Sequence, residues 1–244
     1  MSLPTIYCGM RDTLELAAED GWTVTIRVRR SRRARRLLLK LDPAAGPELV
    51  IPEGASRAQA DDFAQRHVGW LRNRTARLPA AVSLVDGAVI PFMGDDHAIK
   101  HCPDMAGVVR VEQTEEGPQL RVSGGAEHLG RRLTDWLRKQ ARHEIGVRAR
   151  AHAESLGRQV ARIRITDTRS RWGSCSTTRT LSFSWRLVLA PVEVLDYVCA
   201  HEAAHLVEMN HSRRFWRLVD EICPDVNSAR RWLDREGSRL HRIG

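Results

Sequence analysis

His201, Glu202, His205 and His211 are the residues of this chain whose types and spacing can do chemistry together. On a helix, residues four apart stand one turn apart and about 40° round the axis, so His201 and His205 can reach one metal ion. Glu202, beside His201, can accept a proton from a metal-activated water without being a ligand. His211 can return to the same ion if the helix stops near Asn210 and Asn210 leaves it in a left-handed conformation. Three imidazoles and one open position describe a catalytic zinc site, so one Zn2+ per chain is the expected cofactor. The three fixed letters of His-Glu-x-x-His arise by chance in roughly 2% of chains of this composition, so the surrounding elements must decide.

Those elements agree with a metal-binding helix. Pro191 opens it, and Val194, Leu195 and Val198 form an apolar stripe leading to His201. Upstream, Gln159 to Thr166 and Leu181 to Leu187 alternate apolar and polar residues as strands, with Asp167 to Cys175 between them. The 181–187 strand is expected to offer its edge to an extended substrate. Arg171 and Arg186, from the strand region, are candidates for stabilising a developing oxyanion, and each is equally a candidate for a structural salt bridge. Asp196, Glu208 and Asp220 stand as equal candidates for carboxylates that orient the imidazoles. A long helix from about 126 to 156, with Leu129, Leu133, Trp136, Leu137 and Ile145 on one face, would back the His201 helix. Two further helices follow, one carrying Phe215, Trp216, Leu218 and Val219, the other spanning 229–240.

The first half of the chain reads differently. Strands are expected at 22–29, 37–41 and 48–52, then one helix over about 56–78 with Ser56 as its N-cap. Phe63, His67 and Trp70 recur at helical spacing, which makes His67 a packed residue. Residues 82–122 read as a meander of short strands. His97 and His101 are also four apart, but they lie in a strand pattern and are not expected to be ligands. The expected architecture is α+β: an N-terminal β-rich region, 1–125, then a helical catalytic domain, 126–244, with a short antiparallel sheet.

Composition narrows the class. Hydrophobic residues make up 42% of the 244, enough for a core, and no apolar run approaches the ~18 residues of a membrane span. The start of the chain lacks a basic-then-apolar signal pattern, and the five cysteines form no Cys-x-x-Cys pair, so a cytoplasmic location with reduced thiols and no membrane partner is expected. Net charge is +9, yet only Lys40, Lys100 and Lys139 among the 39 basic residues are lysine. A coding preference for arginine on an ordinary solvated surface is favoured over a nucleic-acid partner, because the dense block, Arg27 to Arg36, lacks the interleaved aromatics that stack bases.

Several local patterns coincide. Arg171-Trp-Gly-Ser-Cys175, Phe183-Ser-Trp-Arg-Leu187, Pro191, Leu195-Asp-Tyr-Val198, His201-Glu202-x-x-His205, His211-Ser212-x-x-Phe215-Trp216 and Pro224-Asp225 with Trp232-Leu233 together resemble the YgjP-like metal-dependent hydrolases, relatives of the SprT-like and small gluzincin metallopeptidases. The resemblance runs from about residue 22 to 235. It implies a zincin-like catalytic domain with His201, His205 and His211 as zinc ligands and Glu202 as general base. Ser184 stands where the family usually has Asn, and Ala203 where Leu is common. The expected activity is zinc-dependent hydrolysis of a peptide bond in an extended or unfolded protein chain. The alternatives are hydrolysis of an anionic small molecule such as a nucleotide phosphoanhydride, for which the arginine surplus speaks, and a nucleic-acid-associated protein with a non-catalytic zinc.

Overall fold

The computed structural model describes residues 13–18, 20–42, 45–168 and 171–244. It separates into two compact units, Met1–Leu78 and Pro79–Gly244. In the first, strands β1 (Thr13–Ala17), β2 (Thr23–Ser31), β3 (Leu38–Asp42) and β4 (Gly46–Pro52) form a sheet in the order β1-β2-β4-β3. The β2/β4 pair is parallel and its two outer neighbours are antiparallel. Leu14, Leu16, Ile26, Leu49 and Ile51 bury one face against Ala60, Ala64 and Leu71.

Those last three residues belong to two helices, α1 (Arg57–Arg66) and α2 (Val68–Ala76), where the sequence pattern predicts one. The N-cap is as expected: Ser56 Oγ accepts from the Gln59 amide, and the Gln59 side chain accepts from the Ser56 amide. The break falls at His67. Its Nδ1 takes the Phe63 carbonyl at 2.7 Å, the acceptor that its own amide would use in a continuous helix, and that amide turns to Ala64 instead. The His67 ring stacks on Phe63 at 4.3 Å, a packing role.

The second unit begins with β5 (Val89–Phe92), β6 (Asp95–His101), β7 (Val109–Thr114) and β8 (Gly117–Val122). Their order is β5-β6-β8-β7 with β6 and β8 parallel, so the expected meander is broken by a crossover. His97 Nδ1 is bonded to the Asp95 carbonyl and His101 Nε2 to that of Gly124. Helix α3 (Leu129–Ser155) buries Leu129, Leu133, Leu137, Ala141, Ile145, Ala149 and Ala153, one residue in four down a single stripe. This stripe shares one core with the β5–β8 sheet and with all that follows. The change from strands to helices near 125 therefore lies inside a unit whose contact boundary is at 78.

Strands β9 (Arg162–Thr166), β10 (Gly173–Cys175) and β11 (Thr180–Ser184) form a three-stranded sheet in the order β10-β11-β9. It is mixed: β10/β11 is antiparallel and β11/β9 parallel. Two expectations change here. The strand expected over 181–187 ends at Ser184 and continues as a buried 3-10 turn, Trp185–Leu189, capped by the Ser184 hydroxyl. It is also the central strand, hydrogen-bonded on both sides, so the edges of this sheet are β10 and β9, and β10 is the one whose residues line the cleft described below.

Helix α4 (Val192–Ala204) follows, with Pro191 as its N-cap residue. Nearly its whole circumference is buried, as a helix at the centre of a core requires. His152 Nε2 on α3 bonds Asp196 on α4 at 2.8 Å, which commits one expected imidazole-orienting carboxylate to joining two helices. Helices α5 (Arg213–Ile222) and α6 (Val226–Leu240) complete the fold. No helix among the described residues is long and apolar enough to cross a membrane.

Candidate metal centre

Helix α4 delivers His201 and His205 one turn apart, with ring centroids separated by 5.0 Å. The helix ends at Ala204, not near Asn210, and His205 is its C-cap residue with helical dihedrals. The chain winds down through Leu206, Val207 and Glu208, whose amides bond Ala203 or Ala204. Asn210 makes the next turn by its side chain: Oδ1 accepts the Ser212 amide at 3.0 Å. It needs no left-handed backbone, since Met93 and Arg179 are the only described non-glycine residues with positive φ. Ser212 then caps α5 by accepting from the Phe215 amide.

This turn returns His211 to the other two imidazoles, with ring centroids at 5.1 and 4.7 Å. One nitrogen from each of the three rings lies within 4.8 Å of the others, and the Nε2 atoms of His201 and His211 are 3.1 Å apart. Nitrogens bound at about 2.0–2.1 Å around a tetrahedral zinc lie roughly 3.3 Å apart, so the spacing fits one small cation. Among the described residues no carboxylate or thiolate joins the group, which leaves a tetrahedral ion an open position. Phe215, fully buried on α5, is the floor beneath all three rings, at 4.9, 4.5 and 4.8 Å from His201, His205 and His211.

Protonation favours the same cation. Burial, then the neighbouring His205, His211 and Arg230, pushes His201 down to about 4. Burial also lowers His205, so both rings are neutral at pH 7 and able to donate lone pairs. The Glu208 carbonyl, 3.0 Å from His205 Nδ1, can only accept, so that nitrogen carries the proton and Nε2 is free. Glu208 thus orients the ring through its main chain and not its carboxylate. His201 Nδ1 has the Tyr197 hydroxyl at 3.5 Å. Asp220, the third expected orienting carboxylate, is exposed on α5 and has no hydrogen bond to these rings.

Glu202 is 5% exposed and points at β10. Gly173 makes room for it, because a Cβ there would meet Glu202 Oε1 at 2.5 Å, Cγ at 2.6 Å and Cδ at 2.7 Å. Burial pushes the Glu202 carboxyl up to about 8 against the lowering pull of Arg171. Its Oε2 is buried with no hydrogen-bond partner among the described residues, as expected of an atom reserved for a water or a substrate proton.

The two arginines part company. Arg171 lines the cleft with Gly173, Ser174, Cys175, Met209, Glu202 and the three histidines. Arg186 does not reach it. It is 1% exposed, paired with Asp167, bonded to the main-chain oxygens of Ile243 and Gly244, and stacked on Trp185. Residue type and neighbourhood in sequence cannot reveal such a commitment. Four site residues escaped sequence reasoning. Gly173, Phe215 and Trp216 sit in patterns that do not disclose what they face, and Arg230 is 29 residues beyond His201.

The model of the YgjP-like family, metallopeptidase domain, matches residues 35–236. Among solved structures, the crystal structure of the metallopeptidase zymogen of Pyrococcus abyssi abylysin is 25% identical over 41% of this chain and 97% of its own, with a TM-score of 0.35. Comparison with curated proteins finds no match.

Proposed function

The chain belongs to the YgjP-like family and carries a metallopeptidase-type hydrolase domain, and from this premise we propose that it is a zinc peptidase that uses Glu202 as general base. The observation that carries the proposal is the convergence of three imidazole nitrogens beside a buried, unpartnered Glu202 oxygen. His201, His205 and His211 would hold the zinc. When bound, the metal acidifies water and polarises a carbonyl. Glu202 takes the proton at Oε2 and returns it to the departing amine. Its ionisation near 8 places it within reach of both states at neutral pH. Arg171, across the cleft, supplies positive charge for the developing oxyanion.

The β10 edge favours an extended peptide. Ser184 N–H donates to the Trp172 carbonyl and Ser176 N–H to that of Thr180, so even-numbered residues face β11. The N–H and C=O of Gly173 and Cys175 then point to the open side, beside Glu202, where a substrate strand can pair. The cleft, about 270 Å³, is below the ~300–1,000 Å³ of sites that engulf a small molecule. Hydrolysis of a small anion has less support, because Arg186 is committed elsewhere. A nucleic-acid role with non-catalytic zinc also has less support. Arg27 and Arg29 pair with Glu48, Arg32 pairs with Glu53, and Arg30 bonds the Glu53 and Ala55 carbonyls.

The test uses two variants on a panel of unfolded proteins. Glu202→Gln should keep stoichiometric zinc and lose about 10²–10⁴-fold in rate, while His211→Ala should lose the metal. Zinc loss in Glu202→Gln, or undiminished zinc in His211→Ala, would overturn the assignment of roles.

A further inference from the structure

On the peptidase reading above, we propose that Arg230 is a specificity-determining residue that binds a carboxylate of the peptide substrate. Its guanidinium lies over the Trp216 ring, 4.7 Å from the centroid. Trp216 in turn touches the metal centre, 5.8 Å from His201 and 5.9 Å from His211, and is braced by Phe215 at 5.1 Å. Arg230 is therefore two ring contacts from the imidazoles, on a shelf fixed by the same core that fixes them.

What sets it apart on α6 is the ring beneath it. Arg235 is paired with Glu236 at 2.8 Å and Arg239 with Asp96 at 3.7 Å; Arg231 is exposed and, like Arg230, has no ion pair with a described residue, but of these four only Arg230 is seated on a described ring. An arginine stacked on indole has already lost much of its rotamer freedom, and its N–H edge stays free. That edge matches a carboxylate in the two-pronged arrangement that makes such pairs strong and directional. No described carboxylate is paired with it: Glu202, the one carboxylate among the cleft-lining residues, is buried and turned to β10, and Asp234, one turn along α6, makes no ion pair with it. Arg171, which lines the cleft, and Arg230, which reaches His201 through Trp216, are thus two cations near the histidines with no ion pair to a described residue. An extended chain advances about 3.3–3.6 Å per residue, which puts the recognised carboxylate two or three residues from the scissile bond. An Asp or Glu side chain offers that group, and so does the end of a peptide cut close to its C-terminus.

A peptide series that differs only by Glu or Gln at each position from one to four residues either side of the cut, each with free or amidated C-terminus, tests this. Wild type should prefer a carboxylate at one such place by about tenfold in kcat/KM, mainly through KM. In Arg230→Gln the ratio of acidic to neutral kcat/KM should fall to about one, and Arg230→Lys should restore only part of it. Loss of preference on amidation assigns the chain end, and loss on Glu-to-Gln exchange assigns a side chain. An equal fall for acidic and neutral peptides, with the ratio kept, would show a structural role and overturn the inference. Fluorescence anisotropy of a labelled acidic peptide on metal-free Glu202→Gln, with and without Arg230→Gln, separates this outcome from the broader one. Arg230-dependent binding without cleavage of any peptide by wild type would remove the peptidase reading and leave the carboxylate site. Cleavage with charge-blind binding would do the reverse.

Discussion

Replacing Gly173 by alanine probes the one contact on which the placement of the proposed base depends. The new methyl would lie about 1 Å inside van der Waals separation from Glu202, against Cγ and Cδ as well as Oε1. A terminal oxygen alone could rotate aside, but three successive atoms cannot, so the whole side chain must shift. Glu202 is buried against β10, and a movement of about 1 Å displaces it within the cleft that it lines with the three histidines. Misplacement on that scale costs about 10²-fold in rate. The three atoms nearest the new methyl all belong to Glu202 and none to an imidazole, and the residue has no positive φ that alanine would strain, so metal should stay bound. Stability should fall by only about 1–2 kcal/mol, the usual cost of local overpacking. Steady-state cleavage, zinc content and thermal unfolding of the one variant check all three parts. Activity within threefold of wild type, with the protein folded and zinc-loaded, would refute the claim that Gly173 positions Glu202. Loss of zinc would show that Glu202 and the ligand set are not separable.

In the metal-free protein, Glu202→Gln should be stabilising at alkaline pH. A carboxyl raised from 4.5 to about 8 destabilises the fold progressively as pH climbs between those values, by up to about 4–5 kcal/mol above pH 8. Urea unfolding should show the variant well ahead at pH 9 and the two proteins converging towards pH 4.5. Metal binding at pH 7 should release close to one proton, measurable as a buffer-dependent calorimetric heat, because Glu202 is largely protonated there while His201 and His205 are already neutral. Glu202→Gln should lower that release, and an equal release from the variant would show that the proton comes from elsewhere. Arg186→Met should lower stability by about 3–5 kcal/mol through the oxygens it strands, while leaving KM for peptides in place. A specific rise in KM without destabilisation would return Arg186 to the cleft.

The convergence of the three imidazoles is legible in the sequence because its information is local. Helical spacing places His201 and His205, and His211 needs only a nearby turn, although the turn is made by the Asn210 side chain and not by its backbone. The β11 edge was misassigned for the opposite reason. Alternation in residues 181–187 tells which side chains share a face, but no pattern within a strand says how many neighbours it will have. The crossover between β6 and β8 was hidden in the same way. For Arg186 the sequence leaves cleft and structural salt bridge equally open, because the partners that decide it, Asp167 and the oxygens of Ile243 and Gly244, are 19 to 58 residues away. The break at His67 turns on a single carbonyl changing partners, a competition too fine for periodicity to register.

Phe215 belongs equally to the core of the second unit and to the underside of three imidazoles. The ligand geometry is thereby mortised into the packing of α4 and α5, with no separate scaffold of its own. Heating that loosens the hydrophobic interior would loosen the grip on the ion at the same step, and stripping the ion would remove the clasp that ties the 205–212 turn to the interior. Inactivation by heat and inactivation by chelator then converge on one molecular event. On the proposed zinc-peptidase reading, the temperature at which activity dies should track zinc concentration, and a screen for heat-tolerant variants would find substitutions that tighten metal retention among its hits.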